Sequence, residues 1–197
     1  MNCVKNNVST IVKIILNHCV SGIYSLMLLI IFYAISDGKY MVVGSFISVF
    51  FYLFLVYSLM WGAGAKDATS YYSKTIKKTD GIYLILFGTL PSIITNVLAC
   101  VFYFFKSDVE FPEKFIDMIY PILYYINYFF MQCMYSGLFV VLNKAASDIS
   151  PFWFLLSILP GLIVGALAYA FGFKSFRLRT LFGFKFDEEK EKIKQNY

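Results

Sequence analysis

The chain has 197 residues, of which 59% are hydrophobic and 15% charged, with 22 Phe, 16 Tyr and 2 Trp. Soluble domains carry charge on roughly a quarter of their residues, so a soluble enzyme domain, a disordered chain and a disulfide scaffold are excluded. The net charge of +5 reads as membrane orientation. Nucleic acid is not an expected partner, because no basic stripe with interleaved aromatics sits on a polar element.

In chain order, a mixed lead with Lys5, Asn6, Asn7 and Lys13 precedes an apolar run over 14–35. That run is too long for a secretory h-region, and no small-residue cleavage site follows it. Ser36-Asp37-Gly38-Lys39 is turn chemistry, since Gly supplies positive φ, so the next run, 40–61, forms a helical hairpin with the first. A polar stretch from Gly62 to Asp80 carries Lys66, Asp67, Lys74, Lys77 and Lys78. The third run, 81–105, contains Pro91, and a mostly acidic connection (Asp108, Glu110, Glu113, Asp117) leads to the fourth, 118–142. Asn143 to Ser150 links it to the fifth, 151–173, and a polar tail occupies 174–197.

At about 1.5 Å rise per residue, roughly 20 residues cross the hydrocarbon core, so every run is long enough. The expected fold is all-α: one polytopic transmembrane bundle of about five membrane helices, a single integral membrane domain over 1–197.

The polar residues of these runs fall in phase. In the third run Gly88, Thr89, Ser92, Thr95, Asn96, Ala99 and Tyr103 share one face at three- and four-residue steps, opposite Leu86, Leu90, Ile94, Val97 and Val101. In the fourth, Tyr120, Tyr124, Asn127, Tyr128, Met131 and Tyr135 share a face, with Gln132 at its edge. Lipid cannot satisfy an amide, so Asn96, Asn127 and Gln132 are expected to point inward. Asn96, Tyr124, Asn127, Tyr128 and Gln132 are the candidate solute-facing residues, on two helices expected to be neighbours. Interhelical hydrogen bonding explains the same stripe without a solute.

The fifth run carries Ser157, Gly161, Gly165, Ala168 and Gly172 in phase across Pro160. Small residues at this spacing allow backbones to approach closely, which makes Gly161, Gly165, Ala168 and Gly172 the candidate helix contacts. A stripe that holds phase through a proline favours one continuous helix over re-entry at Pro160-Gly161. His18 reads as a solvated or capped histidine near an interface, and Trp61 as part of an aromatic belt.

Catalytic and cofactor chemistry is not visible. The chain has no HExxH pair, no GxSxG elbow, no P-loop and no dinucleotide fingerprint, and all twelve acids lie outside the five core segments or at their margins. Cys3, Cys19, Cys100 and Cys133 make no CxxC pair, so neither metal nor cofactor is expected. With five crossings the flanking basic residues divide evenly between the two sides, whereas re-entry would concentrate them on the N-terminal side. The N-terminus is placed in the cytoplasm.

The residues Trp61-Gly62-Ala63-Gly64-Ala65-Lys66-Asp67, then Asp80-Gly81, Leu90-Pro91 and the ending Pro160-Gly161, Gly165, Tyr169, Gly172 resemble a group of small, uncharacterised integral membrane proteins of low-GC Gram-positive bacteria. Ala65 and Ala68 stand where that group carries charge. The resemblance implies a bacterial plasma membrane and no particular activity. The substrate-binding subunits of energy-coupling vitamin transporters are similar in length, but the first run here lacks their AxxxA contact. The functional expectation is therefore a non-enzymatic membrane subunit acting through helix packing with a protein partner or a second copy of itself. The alternative is a small-solute binding or transport protein with a Tyr/Asn/Gln-lined cavity between helices 3 and 4.

Overall fold

The computed structural model of the chain describes residues 4–5, 7–36, 39–69, 76–77, 79–107, 113–127, 133–135, 138 and 151–174. Among the described residues there are five α-helices: α1 (Val8–Ser36), α2 (Met41–Thr69), α3 (Gly81–Ser107), α4 (Glu113–Asn127) and α5 (Pro151–Phe173). A 3-10 turn, Cys133–Tyr135, lies between α4 and α5. No strand occurs among the described residues. Four helices, α1, α2, α3 and α5, are long and apolar enough to cross a membrane. The chain is an all-α, multi-pass integral membrane protein.

The helices overrun the apolar segments that nucleate them. α1 starts at Val8 because the Asn7 carbonyl accepts from the Thr10 and Ile11 amides at 2.9 and 3.1 Å, opening the helix ahead of its apolar part. α2 continues past Trp61 to Thr69. α3 opens from a turn in which the Lys77 amide donates to the Asp80 carboxylate at 3.0 Å, and it ends at Ser107. The acidic connection is helical at both margins, since α4 begins at Glu113. Pro160 lies inside a continuous α5, so the fifth run crosses and does not re-enter.

Contacts fix the direction of each helix. His18 bonds Tyr52, Phe32 packs on Gly44, and Asn7 reaches Asp67, so α1 and α2 are antiparallel. Gly161 faces Tyr52, while Gly64 and Gly172 face Tyr169 and Trp61, so α2 and α5 run parallel. Gly81 meets Tyr169 and Gly165 meets Ile85, which makes α3 antiparallel to α5, and Gly88 on Ile14 makes α1 and α3 parallel. α1, α2, α5 and α3 thus form a ring in that order, with α4 outside against α3. Asn7, Asp67, Gly81 and Tyr169 mark one end, called here the N-terminal end.

The parallel pair has a topological consequence. α3 leaves the bundle at the end opposite Asn7, and α5 enters at that same end. The intervening 108–150 segment therefore starts and finishes on one side. Within it Tyr120 lies by Tyr103 (6.2 Å between centroids) and Tyr124 by Phe154 (5.5 Å), both near that end, while the Cys133–Tyr135 turn reaches the core, with Tyr135 at Ser157. Each of the five runs contributes a helix, but the expected five complete crossings become four, with α4 lying against α3. Periodicity alone could not reveal this, because apolar patterning does not encode the direction of a helix.

Candidate functional site: a polar layer at half depth

α1 and α2 bury polar residues on their facing sides: His18, Ser21 and Ser25 on one, Ser45, Ser48 and Tyr52 on the other. The deepest layer is His18, Tyr52 and Gly161. Tyr52 is eleven residues into α2 and Gly161 ten into α5, both counted from the end opposite Asn7, so each lies about 15 Å along its helix. In a hydrocarbon core about 30 Å thick this is the middle of the membrane.

His18 Nδ1 lies 2.9 Å from the Ile14 carbonyl oxygen, which can only accept, so Nδ1 carries the proton. Nε2 of the neutral ring is then an acceptor, and Tyr52 donates its hydroxyl to it at 2.9 Å. The two rings meet edge-on, 5.0 Å apart at 81°. A Cβ at Gly161 would sit 2.5 Å from Tyr52 Oη, so glycine makes the room for this phenol. Of the two expected settings, solvated or capped, the structure shows a buried His18 with both ring nitrogens hydrogen-bonded and not a solvated one.

This pairing makes a specific prediction. His18→Phe strands the Tyr52 hydroxyl without its acceptor and lowers stability by about 1–3 kcal/mol. The double variant His18→Phe/Tyr52→Phe removes both polar partners and regains part of the loss. Thermal unfolding in detergent of the wild type, both single variants and the double variant measures the coupling. Additive losses would refute it.

One turn toward the far end lies a second layer. Ser21 is one turn from His18, Ser48 one turn from Tyr52, and Ser157 one turn from Gly161, all displaced in the same direction. Tyr135 donates its hydroxyl to the Ser157 carbonyl at 3.0 Å. Met134, beside it, is 1% exposed in the core cluster that includes Tyr52 and Val56. The turn packs on α1 and α2.

Hydroxyls on membrane helices normally bond back to their own helix. Ser25 does so to Ser21 O at 2.5 Å, Thr89 to Ile85 O at 2.8 Å and Ser157 to Phe154 O at 2.7 Å. Among the described residues the Ser21 and Ser48 hydroxyls, both wholly buried, have no hydrogen-bond partner. The Cys133–Tyr135 turn adjoins this layer of hydroxyls.

The N-terminal end holds a group that sequence reasoning missed. Asp67, counted among the acids outside the core, is 1% exposed. Its Oδ2 accepts from Asn7 Nδ2 at 2.7 Å and from Tyr169 Oη at 2.8 Å. The signal was present in the buried face of α2, where Tyr52, Val56, Met60, Gly64 and Asp67 continue at three- and four-residue steps.

The residues singled out by sequence are distributed as follows. Asn96 is fully buried and its Nδ2 donates to Ser92 O in its own helix at 2.8 Å. Tyr124 is buried, with Tyr120, Tyr125 and Phe154 as ring neighbours. Asn127 is the last residue of α4, and its side chain, like Tyr128 and Gln132, lies outside the described residues. Tyr103, expected on the polar face of α3, is exposed on the outer surface. The α5 stripe packs inside this chain: Gly161 on Tyr52, Gly165 on Ile85, Gly172 on Trp61, with Ala168 fully buried.

Comparison with known protein families, curated proteins and solved structures finds no match. Fold and site define a multi-pass helical membrane protein with a polar layer at half depth.

Proposed function

We propose that the chain binds and translocates a small solute through the layer formed by Ser21, Ser48, Tyr52 and Tyr135, without catalysing a reaction. The observation that carries this reading is the Cys133–Tyr135 turn, packed on α1 and α2 beside two buried hydroxyls that have no partner among the described residues. Transport proteins build their sites from interrupted helices and dipping segments near the midplane. The rival reading, a subunit that acts through helix packing, drew on the α5 stripe for a partner. That stripe is occupied by Tyr52, Ile85 and Trp61 of this same chain.

The topology also supports an orientation. With four crossings, Lys5, Lys13, Lys66, Lys74, Lys77, Lys78 and the seven basic residues of the tail belong to the N-terminal side, leaving Lys39, Lys106, Lys114 and Lys144 opposite. That asymmetry supports a reading with both termini in the cytoplasm and the Cys133–Tyr135 turn nearer the outside of a plasma membrane.

Accessibility tests the proposal. In a background lacking the four native cysteines, Ser48→Cys is expected to react with a small hydrophilic methanethiosulfonate added from outside. Leu84→Cys, buried nearer the N-terminal end, is expected to stay unreactive. Equal protection of both positions would leave the layer as dry packing and refute the reading.

A further inference from the structure

We infer that the Ser21–Ser48–Tyr52–Tyr135 layer is a binding site for a small monovalent cation, an inference that rests on the solute-binding reading above. The bonding capacity left in the layer is that of neutral oxygens. Tyr52 already donates its proton to His18, and Tyr135 donates its own to Ser157 O, so each phenol offers a guest only its lone pairs. Ser21 and Ser48 add two hydroxyl oxygens with no other partner among the described residues. The His18 N–H is committed to Ile14 O. An anion would find only the two serine O–H donors and, among the described residues, no basic side chain within the layer. A divalent ion would lack the carboxylates it needs, and among the described residues no three His, Cys, Asp or Glu side chains converge. Rings of neutral oxygens replace the hydration shell of a singly charged cation.

The test uses the purified full-length chain in proteoliposomes, with rubidium and methylammonium as cation probes and urea as a neutral probe. Saturable cation uptake above that of empty vesicles is expected, with little urea uptake. Ser21→Ala and Ser48→Ala are each expected to reduce cation uptake about tenfold, the effect of losing one oxygen ligand. Their thermal stability is expected to hold, because neither hydroxyl has a partner to lose among the described residues. Urea uptake without cation uptake would overturn the inference and leave the solute reading standing. Uptake of neither probe would overturn both. Cation uptake indifferent to both serine substitutions would also overturn the inference, since the site would lie elsewhere.

Discussion

Gly172→Ala collapses the yield of folded, monodisperse protein, whereas Gly62→Ala, on the opposite partner helix, slightly raises stability. A Cβ at Gly172 would run into the Trp61 carbonyl, and one at Gly64 into the Tyr169 carbonyl and Phe173 amide. These obstacles are backbone atoms, which cannot rotate aside as a side chain can. Relief requires α2 and α5 to separate, and that contact holds the first half of the bundle to its last helix. The expected loss is about 3 kcal/mol, at the upper end of overpacking effects. Gly62 has nothing within 4 Å of its Cβ position. Alanine there removes only the unfolded-state freedom of glycine and gains about 0.5–1 kcal/mol. Size-exclusion profiles and thermal unfolding of the two variants check the contrast. Similar behaviour of both would mean that α2 and α5 do not meet as described.

Asp67→Ala has the second largest expected effect. Asn7 and Tyr169 both direct donors at Asp67 Oδ2, and alanine leaves two buried donors without it. At about 1–3 kcal/mol for each donor that loses this acceptor, the total is roughly 2–6 kcal/mol. Asp67→Asn keeps a carbonyl oxygen that can accept both bonds, so its loss is smaller. This ordering, with wild type above Asn and Asn above Ala, is read from unfolding temperatures in one detergent. An alanine variant as stable as wild type would show that the cluster does not fasten the N-terminal end.

The helical character, the centres of the four long helices and the continuity of α5 were legible in the sequence because each has a periodic signal. The polar face of α3 was legible for the same reason, with Thr89, Asn96 and Ala99 fully buried and Leu90, Ile94, Val97 and Val101 exposed. Helix ends were less so, since Asn7 and Asp67 are polar residues that become buried only when distant segments meet. The functional layer was hidden more deeply. Ser21, Ser48, Tyr52 and Tyr135 lie far apart in the chain, and small hydroxyl residues in apolar runs read as ordinary packing. What joins them is the direction of α5 relative to α2, and no local pattern encodes the direction of a helix.

That direction is open to a direct measurement. In a chain where Cys19, Cys100 and Cys133 are replaced, the native Cys3 reports the N-terminus and Tyr197→Cys, in a second chain also lacking Cys3, reports the C-terminus. Lys39→Cys in the same background reports the opposite end of the bundle. With a membrane-impermeant maleimide on sealed cells, Lys39→Cys is expected to label at once, and both termini only after permeabilisation. Labelling of one terminus but not the other in sealed cells would mean an odd number of crossings. α5 would then run opposite to α2, and the layer around Tyr52 and Tyr135 could not exist as described.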